Sequence, residues 1–195
     1  MKVIFLDNDG VICLSGNWGS RFKKAREYMI KNDISEHAFM DERKRNVLVR
    51  FDNFDKKAIK ILNEVIKETD AEIVVSSDWK LHANLEELGQ YYESQGIAKK
   101  PIAITPNLED FDPDSDGLYR WKGWLERKRI LEIEKYLEMN PNITHWVAID
   151  DLNMSPEANQ GHGLKNFILT PRSNEGIKQS GIKDKLIHEL NDKEN

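Results

Sequence analysis

The chain has 195 residues and a mass of 22.7 kDa, enough for a single domain over 1–195 with a small insertion and too little for two full domains. Its 39% hydrophobic and 32% charged residues can fill a core and cover it with a solvated surface, which excludes disorder throughout. A net charge of −5, one cysteine (Cys13) and no apolar run near the roughly 20 residues of a membrane span exclude wholesale adhesion to polyanions, disulfide stapling and membrane insertion, and a cytoplasmic setting is expected.

The chain opens with KVIFLDNDG, an apolar run halted by an acidic turn with a glycine, as a buried strand should be. Residues 14 to 54 then interrupt any regular alternation. They are polar and basic, carry Trp18, Phe22, Tyr28 and Phe39, and read as a cap-like insertion over the ligand edge of a sheet. Between Arg21 and Arg50 nine Lys or Arg face five Asp or Glu, so this segment is locally +4 and can face an anion.

Ala58, Ile61, Leu62, Val65 and Ile66 recur at helical spacing and lead into AEIVVSS, a second strand. The pattern predicts a helix from Trp79 to Ser94 closed by Gly96, a short PIAIT strand, an irregular stretch from Thr105 to Glu126, and a helix with Ile130, Ile133 and Leu137 on one face. HWVAIDD and LKNFILT follow as strands, and Ile182 to Leu190 as the last helix. Alternation of helices with continuously apolar strands implies an α/β fold, Rossmann-like and doubly wound around a mainly parallel sheet. Ligands of such sheets bind beyond the carboxyl ends of the strands.

Three polar clusters stand at those ends: Asp7 and Asp9 after VIFL, Ser76 and Ser77 after EIVV, Asp150 and Asp151 after WVAI. Four carboxylates brought to one edge repel and raise one another's pKa unless a cation lies between them, and a hard oxygen donor set suits Mg²⁺. Asp7, Asp9, Asp150 and Asp151 are therefore the candidate metal ligands. Serine hydroxyls and turn N–H groups at the same edge can bind phosphate oxygens.

The ordered set VIFLDNDGV, IVVSS and VAIDD resembles the motifs of the haloacid dehalogenase superfamily of phosphohydrolases over most of the chain. The resemblance implies that Asp7 is a nucleophile forming an aspartyl-phosphate and that Asp9 is the acid and base. Ser76, with Ser77 assisting, would bind phosphate, and Asp150 and Asp151 would serve the metal. It also implies a basic residue before the late acidic motif, for which Lys122, Lys128 and Arg129 are candidates. SSDWK, ITP, the run from Arg129 through ILEIEKYL, and IDDL are similar to the phosphatase-like domain of Swiss-army-knife RNA repair proteins. There the basic residue precedes a Glu-Ile pair by three positions, which selects Arg129, with Lys128 in reserve.

Other features have ordinary roles beside functional ones. Asp112, Asp114, Asp116 and Gly117 mimic the start of a calcium loop, but Pro113 lies inside it and the twelfth position is Gly123, so an acidic turn is expected. YRWKGWLERKR sets Tyr119, Trp121 and Trp124 among Arg120, Lys122 and Arg127, able to stack bases but also to pin a loop. Ser77 or Asp78 can cap a helix. The five histidines share no ligand spacing, although His162 can flank the site, and Cys13 reads as a small buried residue.

The sequence thus leads to a Mg²⁺-dependent phosphomonoesterase whose partner is a phosphorylated small molecule or a nucleic-acid terminus, a 3′-phosphate above all. Two alternatives stand beside it: a 5′(3′)-mononucleotidase of free nucleotides, and a non-catalytic module that holds a phosphorylated ligand or a partner protein.

Overall fold

Alternating side chains of the first strand, β1 (Lys2–Leu6), go to opposite faces of the sheet, and both faces are apolar. Ile4 and Leu6 enter one hydrophobic cluster while Val3 and Phe5 enter another, and all four are fully buried. Each such side chain contributes about 1.5–3 kcal/mol on burial, so β1 is fixed as a central strand. The computed structural model describes residues 1–35, 45–108 and 123–192 of the chain.

Four more strands join β1: β2 (Glu72–Val75), β3 (Ala103–Ile104), β4 (His145–Asp150) and β5 (Phe167–Leu169). All pair in parallel, in the order β3-β2-β1-β4-β5. The chain therefore moves outward from β1 in one direction and returns to cross to the other side, which places a switch point at the carboxyl end of β1 between β2 and β4.

Six described helices accompany the sheet: α1 (Ser20–Lys31), α2 (Val47–Arg50), α3 (Lys56–Thr69), α4 (Leu85–Gln95), α5 (Trp124–Met139) and α6 (Ile182–Asn191). Asp55 caps α3 by accepting from the amides of Lys57 and Ala58, and the helix buries Ala58, Leu62, Val65 and Ile66 against one face. Ile130 and Ile133 of α5 cover the other face. No helix among the described residues is long and apolar enough to cross a membrane.

Two boundaries differ from the sequence expectation. The helix anticipated from Trp79 to Ser94 is divided: a short 3-10 turn, Asp78–Leu81, precedes α4, which starts anew at Leu85. The cause is local. Asn84 accepts from the amide of Glu87 while the Glu87 carboxylate accepts from the amide of Asn84, a reciprocal cap that begins a helix rather than continuing one. The irregular stretch anticipated to Glu126 ends earlier, since α5 is already helical from Trp124.

Within 14–54, α1 and α2 pack around Ala25 and Val49. The segment is tied to the rest of the fold by polar links. Arg50 donates to Glu87 at 2.9 Å and to the His82 carbonyl at 2.6 Å, and Tyr91 donates its hydroxyl to the Asp52 carbonyl at 2.7 Å.

Candidate active site

The sheet ladder continues one residue past the strands into the polar motifs. The Asp7 amide donates to Ile149 at 3.1 Å, that of Ser76 to Leu6 at 3.0 Å, that of Thr105 to Val75 at 3.0 Å and that of Thr170 to Asp150 at 2.9 Å. Main-chain bonds thus hold the bases of these side chains before any side-chain contact is made. After Asp7 the chain reverses sharply, with the Asn8 carbonyl accepting from the amides of Val11, Ile12 and Cys13. Gly10 lies in this turn at φ 71°, and a Cβ there would collide with the Asp151 carboxylate. Only glycine serves both the left-handed backbone and the approach of Asp151.

The turn gathers carboxylates from the two ends of the polypeptide. Asp7, Asp150 and Asp151 each offer an oxygen, and these oxygens all lie within 4.8 Å of one another. Asp7 and Asp150 are buried. Arg129 reaches in from α5, its Nη1 donating to Asp7 Oδ1 at 2.7 Å and to Asp150 Oδ2 at 2.8 Å, while Nη2 pairs with Asp78 Oδ1 at 2.9 Å. The second oxygen of Asp150 accepts from the Leu152 amide at 2.8 Å.

The carboxyl groups feel this crowding. Burial, then the neighbouring Asp150 charge, lift Asp7 well above the usual carboxylate range against the opposing pull of Arg129. Burial also raises Asp150, and burial with the Asp150 charge raises Asp151 to about 6. Burial alone would weaken the charge on Arg129, but Asp7, Asp150 and Asp78 outweigh it and hold the guanidinium firmly protonated. One cation against three clustered carboxylates leaves a negative excess. Buried oxygen donors with raised pKa values on one sheet edge suit a hard divalent cation, and Asp7, Asp150 and Asp151 can hold one.

Asp9 departs from the expectation that it would be a fourth carboxylate ligand. Its side chain stands outside the three-carboxylate group, and its Oδ2 accepts from the indole Nε1 of Trp79 at 2.8 Å. Partial burial raises its pKa, and the hydrogen bond from Trp79 opposes that rise. A carboxyl group turned away from the cluster, beside the proposed nucleophile, is disposed for proton transfer.

Ser76 projects at the end of β2 with its Oγ buried and, among the described residues, without a hydrogen-bond partner. An unmade bond of this kind costs about 1–3 kcal/mol, and a ligand oxygen would satisfy it. Ser77 differs: its Oγ accepts from the Trp79 amide at 3.4 Å and caps the 3-10 turn. Lys128 faces Glu132 at 3.7 Å, one turn along α5, whereas it is Arg129 that bridges Asp7 and Asp150. Lys122, the calcium-loop mimic, Tyr119, Arg120, Trp121, His37 and Phe39 lie outside the described residues. Arg127 donates to the His162 carbonyl at 3.2 Å, and Cys13 is buried.

The structure adds residues that the sequence did not single out. Lys80 Nζ is buried between Glu132 Oε2 at 2.5 Å and Thr105 Oγ1 at 2.7 Å, so Glu132 anchors α5 to the sheet edge three residues beyond Arg129. Beside Asp9 opens a cleft of about 220 Å³ walled by Trp79, Phe51, Asp52, Arg21 and His82. Arg21 there pairs with Asp52 at 2.6 Å. The signal for Lys80 and Glu132 was their place inside the motifs, as the last residue of SSDWK and the acid of the Glu-Ile pair after Arg129. For Phe51 and Asp52 there was none short of the tertiary fold.

A parallel α/β sheet whose carboxyl edge joins an early Asp-x-Asp-Gly turn to a late acidic pair defines a HAD-type hydrolase of the phosphatase kind. The family model described as the HAD domain in Swiss Army Knife RNA repair proteins matches residues 3–181, and the chain belongs to that family. No curated protein and no solved structure matches the chain.

Proposed function

We propose that this protein is a Mg²⁺-dependent phosphomonoesterase that removes a terminal phosphate, a 3′-phosphate in particular, from nucleic-acid ends. The observation that carries the reading is the meeting of Asp7, Asp150 and Asp151 with buried Arg129 and the unpartnered Ser76 hydroxyl at the ends of β1, β4 and β2. Mg²⁺, held by Asp7, Asp150 and Asp151, would neutralise phosphate charge.

In this reading a carboxylate oxygen of Asp7 attacks phosphorus as the bond to the leaving oxygen breaks, and that oxygen takes the proton of Asp9. Water then attacks the phosphorus of the aspartyl-phosphate, returns its proton to Asp9 and frees Asp7. Arg129 keeps the Asp7 oxygen in place and offsets charge on the transferring group, and Ser76 binds one of its oxygens.

The nucleic-acid half of the reading draws on the family's description and on α1. Arg21, Lys23, Lys24, Arg26 and Lys31 lie on this helix against one acid, Glu27, and the aromatic rings of Trp18 (53% exposed) and Phe22 (59% exposed) stand open at its start. Cations with open aromatic faces suit a single strand, whose phosphates and bases they meet in turn. The Trp18 indole donates to the Cys13 carbonyl, which ties this surface to the turn that carries Asp9.

The test compares phosphate release from a 3′-phosphorylated oligonucleotide and from free 3′- and 5′-mononucleotides, with and without Mg²⁺, for the wild type and Asp7→Asn. The oligonucleotide should turn over fastest and the substitution should remove activity. Faster turnover of free nucleotides would establish the mononucleotidase instead. A wild type inert toward every phosphoester, yet binding phosphorylated ends, would establish the non-catalytic module.

A further inference from the structure

Asp9 raises a question of geometry. It lies two residues from Asp7, at the edge of a group of carboxylates that can hold a cation, yet its own carboxylate is not among them. A flexible acid so placed could turn inward and become one more ligand, and it would then be lost to the leaving group. The Trp79 indole stands in the way of that turn, since Nε1 donates to Asp9 Oδ2 at 2.8 Å.

The indole itself has little freedom. Its ring stacks on Phe51 at 4.3 Å between centroids and 7° between planes, lies 5.3 Å from Phe54 at 19°, and meets the edge of Tyr91 at 5.7 Å. Trp79 is 6% exposed. Its backbone is fixed by the 3-10 turn that Ser77 caps, directly after the phosphate-binding serine. The direction of the N–H is therefore set from two sides, by the β2 motif and by the aromatic residues Phe51 and Phe54 at the end of the 14–54 segment. Asp9 lines the cleft between them, together with Trp79 and Phe51.

We propose that Trp79 is a positioning residue for the acid and base: its indole N–H holds Asp9 Oδ2 so that the carboxyl group faces the cleft, where a leaving oxygen would lie, and stays out of the three-carboxylate group. This inference rests on the phosphatase reading above. With Oδ2 held by the indole and the Cys13 thiol hydrogen-bonding to the same carboxylate, the carboxyl group is oriented for the proton that passes to the leaving group. Phe51 and Phe54 act a step further out, by keeping the indole from rotating.

The experiment uses the full chain with tryptophan 79 altered in two ways, Trp79→Phe and replacement by benzothienylalanine, which keeps the two-ring shape and substitutes sulfur for the N–H. The readout is kcat/KM for an alkyl phosphate and for 2,4-dinitrophenyl phosphate, whose leaving group needs no proton, with Asp9→Asn as the reference pattern. Both Trp79 variants should lose at least about tenfold more on the alkyl ester than on the aryl ester, as loss of an oriented proton donor would. Equal losses on the two esters would overturn the proposal and leave Trp79 a packing residue.

A second measurement does not depend on turnover. The Trp79 indole proton, identified among the five tryptophans by its absence in the benzothienylalanine protein, should lie downfield and move on Asp9→Asn substitution. An indole resonance indifferent to Asp9→Asn would overturn the positioning role in an enzyme that remains active. A wild type inactive on both esters and on the 3′-phosphorylated oligonucleotide would overturn the phosphatase reading, and this role with it, even where the resonance does respond.

Discussion

Arg129 is the residue whose removal should most clearly separate electrostatics from packing. Its side chain is 6% exposed, and it makes charge-assisted hydrogen bonds to Asp7 and Asp150, which are buried themselves. Arg129→Met keeps much of the apolar stem but leaves those carboxylates without a cation. Breaking a buried pair by deleting one partner costs about 3–5 kcal/mol, since the remaining charge stays desolvated. At about 2–4 °C per kcal/mol for a chain of this size, the melting temperature should fall by on the order of 10 °C at pH 7 without Mg²⁺. The loss should depend on pH in a fixed direction. Asp7 and Asp150 already titrate above the usual range in the folded chain, and removing Arg129 raises them further. The folded state then holds protons that the unfolded state has released, so stability falls as pH rises through that window, and the variant suffers less at pH 5 than at pH 7. Thermal unfolding of the wild type and Arg129→Met at both pH values, with and without Mg²⁺, checks this. A loss below about 1 kcal/mol at pH 7, or an equal loss at the two pH values, would refute the view that Arg129 offsets the carboxylate charge.

Three further outcomes follow from the same geometry. Lys80→Met should cost about 3–5 kcal/mol in urea unfolding because Glu132 is left buried and charged, and the double change Lys80→Met with Glu132→Leu should recover most of it; equal losses in both would show that the pair is not coupled. Gly10→Ala should weaken Mg²⁺ binding by about tenfold or more in calorimetry, since its Cβ would displace the Asp151 carboxylate and the turn would be strained by about 1–3 kcal/mol. Finally, Asp151 at about 6, against an ordinary 3.8, means that the metal-free fold binds protons between those values that the unfolded chain does not. Metal-free stability should therefore decline as pH rises through 6, while Mg²⁺ binding tightens and releases protons; an affinity unchanged from pH 5 to pH 7.5 would contradict it.

The sheet was largely legible because its strands are buried on both faces and leave continuous apolar runs. VIFL, EIVV and HWVAI are such runs, and the acids that end them mark the edge where they stop. The break between Asp78 and Leu85 was hidden by apolar spacing that persists across it, although Asn84 and Glu87 carried the signature of a new helix start. The basic partner was less legible still. Residue type and position leave Lys122, Lys128 and Arg129 open, and it is the resemblance, through the Glu-Ile pair three positions on, that selects Arg129; neighbouring positions on a helix point about 100° apart, and the placement of α5 on the sheet is what lets Arg129 bridge Asp7 and Asp150 while Lys128 turns to Glu132.

Asp9 shows why the rest could not be read from the chain. Its identity and spacing from Asp7 mark it as an acid at a strand end, and by those criteria it is one more metal ligand. What holds it away from that group, on the proposal above, is chiefly the indole N–H of a tryptophan 70 residues away, held in direction by Phe51 and Phe54, which themselves come from a segment without periodic pattern. Asp7, Ser76 and Asp150 take their places from the main-chain ladder, which any strand of suitable residues would provide. Asp9 and Arg129 take theirs from side chains packed outside the sheet. Changes in those outer residues can therefore alter the chemistry while the sheet stays intact, and the two ways of holding the site can be perturbed separately.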